Sequence, residues 1–186
     1  METLEYTDVN AHIVARCKEG DRKAQYELYK LYSKAMFNVS MRITNDYTEA
    51  EDVLQESFLS AFRELHTFKG DSTFGSWLKR IVINKAISKV RGRRLQVVHM
   101  EDHQDFVEEA PEVDEEDMAY KVESIRRSIQ KLPDGYRVVL TLYLLEGYDH
   151  GEIAEILGIS EATSKSQYSR ARQKLLSFMK EEAFLA

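Results

Sequence analysis

The sequence predicts an all-α protein made of two small helical domains. Hydrophobic residues recur at three- and four-residue steps through most of the chain, which is the period of amphipathic helices. Only 2 prolines and 8 glycines occur among 186 residues, too few for the many tight turns of an all-β fold. Residues 95–118 lack this period and carry 10 acidic residues and no basic one. We therefore expect helical domains at residues 1–94 and 119–186, joined by a flexible acidic linker at 95–118.

The composition indicates a folded protein without a membrane anchor. Hydrophobic residues make up 43% of the chain and charged residues 31%, which is sufficient for a buried core. The polar N-terminus METLEYTDVNAH does not resemble a signal peptide, and no apolar run approaches the roughly 18 residues of a membrane span. The lone Cys17 cannot form an internal disulfide. We expect a cytoplasmic protein that does not insert into membranes.

The charge is distributed unevenly along the chain. A net charge of −6 would argue against nucleic acid as a partner, but the linker contributes all of the excess. Residues 1–94 hold 16 basic and 13 acidic residues, and residues 119–186 hold 10 and 9. The segment KRIVINKAISKVRGRR, Lys79–Arg94, carries seven basic residues and no acidic one. The acidity therefore belongs to the linker, and both domains are near-neutral to basic.

Three helices are predicted in the first domain. The first has its buried stripe at Ala24, Leu28, Leu31, Ala35, Val39 and Ile43. The second begins with a capping box at Thr48–Glu51 and buries Leu54, Phe58, Ala61, Phe62 and Leu65. The third runs from about Thr73 to Arg91 and ends at Gly92. The short stretch Leu95–Val98 is the one candidate strand.

The start of the third helix has the features of a single-strand binding surface. Aromatic residues surround a small polar loop, and a polar and basic stripe follows at Arg80, Asn84, Ser88 and Arg91. Aromatic faces hold unstacked bases, and basic side chains hold phosphates. Phe74 and Trp77 can also be read as ordinary core residues, so Phe68 and the loop Gly70–Ser72 are the better candidates for a base pocket.

The exposed face of the second helix is a candidate partner surface. Asp52, Gln55, Glu56 and Leu59 lie opposite its buried stripe, beside Arg63. A solvated face with no specific role is the plainer interpretation. Leu59 favours an interface, because an apolar side chain within a polar patch can anchor a partner.

The second domain has the pattern of a helix-turn-helix. Two predicted helices precede the motif. The first covers about Tyr120–Lys131. After a break at Leu132–Gly135, the second, which is apolar and central, covers Tyr136–Glu146. Within His150–Leu176, Gly158 supplies the turn and Ser160 is a favoured N-cap. In this motif the second helix enters the major groove. The inward positions of the two helices are Ile153, Ala154, Leu157, Tyr168, Ala171 and Leu175.

The second helix of the motif presents polar side chains suited to DNA. Lys165, Ser166, Ser169, Arg170 and Gln173 lie away from its apolar side, and Arg and Lys can donate to guanine. A three-helix bundle with a solvated charged face is the alternative. Ser164 stands where an apolar residue is expected, which predicts either looser packing or a rotated helix.

No catalytic, cofactor or metal chemistry is expected. The chain has no glycine-rich phosphate loop and no nucleophile elbow. His99 and His103, beside Glu101 and Asp102, have metal-ligand spacing if helical, but in a charged linker this is more often coincidence. We predict no enzyme, no cofactor and no metal site.

The segments DVLQESFL, FKGDSTFGSWLKRIVIN and EIAEILGISEATSKSQYSRARQKL, in this order, resemble bacterial RNA polymerase sigma factors of the extracytoplasmic-function (ECF) group. The resemblance covers about residues 8–94 and 119–180. It implies an initiation factor with sigma domain 2 at 1–94 and sigma domain 4 at 119–186. Its implied partners are core RNA polymerase, promoter DNA as duplex and as melted single strand, and an anti-sigma factor.

The resemblance also implies roles for the candidate residues. The surface for the polymerase clamp is Asp52, Gln55, Glu56 and Leu59. The minus-ten residues are Phe68, Gly70, Asp71, Ser72, Arg80, Asn84, Ser88 and Arg91. The minus-thirty-five residues are Thr163, Lys165, Ser166, Ser169 and Arg170. Ser164 replaces a Val common in the family, and Gln167 replaces an Arg, so the DNA preference is expected to differ.

Two other functions fit parts of the sequence. A sigma mimic would bind an anti-sigma factor without DNA, but would not need the basic cluster at Lys79–Arg94. A conventional helix-turn-helix regulator would bind duplex operators, but would leave the aromatic loop of the first domain unexplained. The sigma factor accounts for both domains.

Overall fold

The computed structural model describes residues 9–94 and 118–185, and every regular element in these ranges is helical. The all-α prediction is thereby confirmed. The chain divides into two compact units between Arg93 and Arg94. The acidic linker up to residue 117, the candidate strand Leu95–Val98 and the pair His99 and His103 lie outside the described residues. None of the helices in the described ranges is long and apolar enough to cross a membrane.

The described part of the first unit, from residue 9 onward, contains four α-helices and one 3-10 turn: α1 (Ala11–Lys18), α2 (Arg22–Thr44), α3 (Tyr47–Glu64), the turn Leu65–Thr67, and α4 (Phe74–Arg94). Asp21 caps α2, because its carboxylate accepts hydrogen bonds from the backbone amides of Lys23 and Ala24. Asn45 ends α2 in the left-handed conformation with φ of 55°, which asparagine adopts more readily than most residues.

The predicted buried stripe of α2 is wrong at two positions. Leu31 is 52% exposed and Ala35 is also exposed, whereas Met36 lies in the core. The C-terminal half of α2 packs through two buried hydroxyl residues: the Ser40 hydroxyl donates to the carbonyl of Ala50, and the Thr44 hydroxyl donates to the carbonyl of Ser40. Hydrophobic periodicity does not count such residues, so it misplaced the stripe.

Two predicted helix ends differ from the structure. The capping box at Thr48–Glu51 is wrong, because Asp46 caps α3 with a 2.8 Å hydrogen bond from the amide of Glu49 to its carboxylate. Gly92 does not end α4, and it is not among the glycines with positive φ. Helix α4 continues through Gly92. Arg93 connects its last turn to the end of α2 by donating a hydrogen bond to the carbonyl of Thr44 at 2.8 Å.

An aromatic cluster holds the start of α4 in place. Phe74 is fully buried, and its ring centroid lies 5.4 Å from that of Tyr32 and 6.0 Å from that of Phe68. Trp77 packs on both phenylalanine rings. Gly75 permits this approach, because a Cβ there would lie 2.8 Å from Cε1 of Tyr32. The loop before α4 is therefore anchored at its base.

The second unit contains α5 (Met118–Lys131), α6 (Asp134–Leu144), α7 (His150–Leu157) and α8 (Glu161–Leu185). As predicted, the apolar helix α6 is central, and its residues 137–142 are all buried. Arg137 is buried with them: it donates to the carbonyl of Leu132 at 2.8 Å and pairs with Asp134. The hydrogen bond to Leu132 links Arg137 of α6 to the short connection that follows α5. The hydrophobic core cluster contains Leu132, Leu140, Ala171 and Leu175.

Candidate nucleic-acid interface

Helix α4 presents a polar and basic stripe on one exposed face. Arg80, Asn84, Ser88 and Arg91 are all exposed, and at about 100° per residue they fall within one sector of the helix. The Ser88 hydroxyl donates to the carbonyl of Asn84 at 2.9 Å. A separate side of α4 is buried, with Leu78, Val82, Ile83 and Ala86 fully enclosed. The apolar side anchors the helix and leaves the stripe accessible.

The loop before α4 keeps three of its four candidate base-pocket residues at the surface. Gly70, Asp71 and Ser72 are exposed, and Gly70 has φ of 85°, which favours glycine. Phe68 is only 8% exposed, because its ring packs in the aromatic cluster. Its face is therefore not available to stack on a base. Phe68 instead supports the loop from beneath.

Lys18 of α1 is attached to the base of this loop, a contact that sequence reasoning missed. Its Nζ donates to the carbonyl of Phe68 at 2.6 Å and lies 5.5 Å from the centroid of the Phe68 ring. Fifty residues separate the two positions, and no local pattern links them.

Helix α3 presents the predicted acidic surface, and three of its acids pair with α4. Asp52, Gln55, Glu56 and Leu59 are exposed, Leu59 to 64%. The ion pairs are Glu49 with Arg93 at 3.2 Å, Asp52 with Lys89 at 3.2 Å and Glu56 with Lys85 at 3.8 Å. The hydrogen bond to Asp52 raises the pKa of Lys89. We call these three pairs the ion-pair row.

A shallow groove adjoins the acidic surface. It has a volume of about 390 Å³ and is lined by Arg22, Gln25, Tyr26, Tyr29, Gln55, Phe58, Leu59 and Phe62. Tyr26 is 63% exposed, so aromatic surface continues from α3 onto α2. Sequence analysis missed the tyrosines, although their spacing of three residues places them on one side of α2.

Helices α7 and α8 form the predicted helix-turn-helix. Gly158 has φ of 59° at the turn, and the Ser160 hydroxyl accepts from the amide of Thr163 at 3.0 Å. The Thr163 hydroxyl is bonded to that of Ser160, so it takes part in the cap. Asp149 and Glu152 form a capping box at the start of α7, a second cap that sequence reasoning missed.

The N-terminal half of α8 exposes the other predicted DNA contacts. Lys165, Ser166, Ser169 and Arg170 all lie at the surface. Lys165 forms an ion pair of 2.6 Å with Glu161 one turn earlier, and this hydrogen bond raises the pKa of Lys165. Lys165 therefore keeps its positive charge, with the opposite charge of Glu161 beside it.

Ser164 is fully buried, and neither looser packing nor a rotated helix accounts for it. Its hydroxyl lies 2.9 Å from Nδ1 of His150 on α7. Ala171 and Leu175 remain buried on the same side of α8, so the predicted orientation of the helix holds. A polar contact stands where an apolar one was expected.

No group of three or more His, Cys, Asp or Glu side chains suited to a metal ion occurs in residues 9–94 and 118–185. The groove beside α3 is open to solvent rather than an enclosed cavity. The candidate surfaces are exposed faces, two on the first unit at α4 and α3 and one on the second unit at α8.

Two family models match this chain. Residues 28–96 match the family model described as Sigma-70 region 2, and residues 122–175 match Sigma-70, region 4. The chain is 34% identical over 179 residues to the RNA polymerase sigma-H factor of Pseudomonas aeruginosa, covering 88% of this chain and 90% of that protein. It is 30% identical over 172 residues to the ECF RNA polymerase sigma factor SigW of Bacillus subtilis, covering 87% and 92%.

A solved structure supports the fold. The sigma factor RpoE of Bartonella quintana, solved in complex with the anti-sigma factor NepR, is similar with a TM-score of 0.56 and 22% identity, covering 83% of this chain and 96% of that one. The family matches and the identity to whole sigma factors establish the class of protein. The chain belongs to the sigma-70 family of RNA polymerase sigma factors, in the ECF group, and is a transcription initiation factor rather than an enzyme.

Proposed function

We propose that this sigma factor reads its promoters with two separate helices, α4 for the melted minus-ten element and α8 for the duplex minus-thirty-five element. Residues 1–94 act as sigma domain 2, residues 119–186 as sigma domain 4, and residues 95–118 as the linker. The observation that carries the proposal is the exposure of both polar faces: Arg80, Asn84, Ser88 and Arg91 on α4, and Lys165, Ser166, Ser169 and Arg170 on α8.

The minus-ten strand lies along α4 in this proposal. Arg80 and Arg91 contact phosphates, while Asn84 and Ser88 contact the bases or sugars between them. Gly70, Asp71 and Ser72 receive an unstacked base, since they are exposed directly before the helix. Phe68 contributes as a support of this loop, because its ring is buried. Extrusion of a base is less costly once the strand is melted.

The minus-thirty-five element is contacted from the major groove by α8. Lys165 and Arg170 donate to guanine or phosphate, and Ser166 and Ser169 supply adaptable hydroxyls. Thr163 stabilises the N-terminus of the helix through the Ser160 cap. Helix N-termini also favour phosphate, so this end suits the DNA backbone.

Core polymerase binds the exposed face of α3 in this proposal. Leu59 is a large exposed apolar side chain beside the groove of about 390 Å³, and Asp52, Gln55 and Glu56 surround it with polar groups. An apolar centre with a polar rim is typical of protein interfaces. The groove continues this surface onto Tyr26 of α2.

We also propose control by an anti-sigma factor, in the cytoplasm. The structurally similar RpoE of Bartonella quintana was solved with the anti-sigma factor NepR. A partner that covers the α3 face or the α8 face would block polymerase or DNA, and both faces are exposed in this chain.

Run-off transcription tests the proposal. The purified chain is mixed with bacterial core polymerase and a library of upstream regions. We expect specific starts that disappear when Lys165 and Arg170 are both changed to Ala. Tight core binding with no start from any template would contradict promoter recognition, and neither binding nor starts would favour the sigma mimic.

A further inference from the structure

Four side chains join three helices of the second unit through polar and aromatic contacts: Tyr143 of α6, His150 of α7, and Ser164 and Tyr168 of α8. We call them the polar seam. The Ser164 hydroxyl is 2.9 Å from Nδ1 of His150. Tyr143 stacks on the His150 ring with centroids 4.5 Å apart and an interplanar angle of 16°. Tyr168 contacts both rings, at 4.5 Å from Tyr143 and 5.6 Å from His150.

The hydrogen bond constrains the placement of α8 more tightly than an apolar contact would. Ser164 is fully buried, and its hydroxyl would be left without a partner if the two helices shifted apart. A hydrogen bond of this kind is confined to donor–acceptor distances of about 2.5–3.2 Å and weakens steeply with angle. Apolar surfaces tolerate sliding much better. The bond forms with either ring tautomer, since a hydroxyl both donates and accepts.

The seam alternates with the proposed DNA contacts along α8. Ser164 directly precedes Lys165 and Ser166, and Tyr168 directly precedes Ser169 and Arg170. Any rotation or slide of the helix at the seam moves these side chains together. Recognition requires placement within about 0.5 Å, so a small displacement reduces affinity.

We propose that the hydrogen bond between His150 and Ser164 positions α8 for minus-thirty-five recognition, so that both residues act on promoter choice without contacting DNA. This inference rests on the proposed function of α8. It adds His150 and Ser164 as positioning residues. A directional hydrogen bond between them stands where apolar packing was expected.

Two substitutions of His150 distinguish the effect of the hydrogen bond to Ser164 from the effect of the ring contact with Tyr143. His150→Phe keeps an aromatic ring against Tyr143 but removes the nitrogen. His150→Asn removes the ring but can place its side-chain amide near the position of Nδ1, where it can still bond Ser164. If the bond sets the orientation of α8, Asn should preserve recognition and Phe should not.

The experiment uses the full chain with core polymerase on a promoter selected by the unmodified protein. The readout is the ratio of run-off transcript from the intact upstream element to that from a scrambled one. We expect His150→Phe to lower this ratio about five- to tenfold and His150→Asn to keep it within about twofold. Binding to core polymerase should be unchanged in both. An unchanged ratio for His150→Phe, or an equal loss in both variants, would overturn the inference.

A third variant guards against a loss of folding. His150→Phe combined with Ser164→Val makes the seam apolar, and its thermal unfolding midpoint is measured beside its transcription ratio. We expect the double variant to unfold at a temperature close to that of the original chain while the ratio stays low. If the double variant has both the unfolding midpoint and the transcription ratio of the original chain, the positioning role is overturned, because the hydrogen bond would then contribute only stability. Absence of starts from the unmodified chain would instead contradict the proposed function, and the inference with it.

Discussion

Helices α4 and α8 present similar polar faces, but they are supported in different ways. Beneath α4 lie fully buried apolar side chains, among them Leu78 and Val82. Beneath the DNA-facing half of α8 lie Ser164 and the partly buried Tyr168, and the buried Ala171 follows only near its middle. Helix α4 is held by close apolar packing along its length, whereas the N-terminal half of α8 has polar and aromatic contacts and only its later turns pack in the core through Ala171 and Leu175.

The charges beside the two faces also differ in origin. Basic residues on another side of α4 pair with acids of α3 through the ion-pair row. Lys165 of α8 pairs with Glu161 of its own helix. In both units, these acidic side chains lower the positive electrostatic potential at the surface proposed to face DNA phosphates. We therefore expect weak binding of the isolated chain to non-specific DNA, because such binding depends on charge.

The largest expected effect concerns the apolar support of α4. Leu78→Ala should lower the free energy of unfolding of the first unit by about 2–5 kcal/mol, because it leaves a cavity in a closely packed core. Urea titration of the full chain measures the change. Leu31→Ala is the matched control, since Leu31 is 52% exposed on α2 and should cost no more than about 0.5 kcal/mol. Equal losses from the two changes would contradict the assigned core.

The second prediction concerns Cys17, which is buried in α1 of the same unit. Burial raises the pKa of its thiol to about 11 from 9.0, so at pH 8 the native thiolate fraction is roughly 100-fold below that of the unfolded chain. Iodoacetamide should label the native protein correspondingly slowly, compared with protein in urea.

The sign of the linked stability follows from the same shift in the pKa of Cys17. The unfolded chain gives up the thiol proton first, so stability should fall as the pH rises from about 9 to about 11. Cys17→Ala removes this contribution and serves as the control. Rapid labelling of the native protein at pH 8 would show that the thiol is not enclosed.

The third prediction concerns the exposed face of α8. Arg170→Ala should weaken binding of the polymerase-bound chain to its upstream element by about 1–3 kcal/mol, if Arg170 contacts a base. Fluorescence anisotropy with labelled upstream duplex measures the loss. Lys180→Ala is the charge-matched control, ten residues further along α8, and should change binding little. An equal loss from both would indicate general charge attraction only.

The smallest effect is expected from Glu161. Glu161→Gln removes the exposed acid that pairs with Lys165, a weak contact because both side chains are solvated. Affinity for upstream DNA should then rise about twofold, most clearly at low salt. Glu155→Gln, an exposed acid on α7, is the comparison. A fall in affinity would show that Glu161 positions Lys165 rather than competing with DNA.

Sequence patterns predicted the parts of the molecule that local chemistry determines. The left-handed turn at Gly158 and the cap at Ser160 follow from the residues themselves. The exposure of Arg80 and Asn84 on α4 follows from the helical period. Contacts between distant segments were not predictable in this way. The burial of Phe68 depends on an aromatic cluster, and the partner of Ser164 lies 14 residues away on another helix.

Footprinting of the complete initiation complex tests most directly whether α4 and α8 divide promoter recognition between them. Permanganate reactivity reports unpaired thymines at the minus-ten element, and nuclease protection reports contact with the upstream duplex. Arg80→Ala with Asn84→Ala should abolish melting and keep upstream protection. Lys165→Ala with Arg170→Ala should abolish upstream protection and keep melting on a template with a preformed bubble. If each double variant lost both permanganate reactivity and upstream protection, or if neither variant lost either signal, the division of promoter recognition between α4 and α8 would be contradicted.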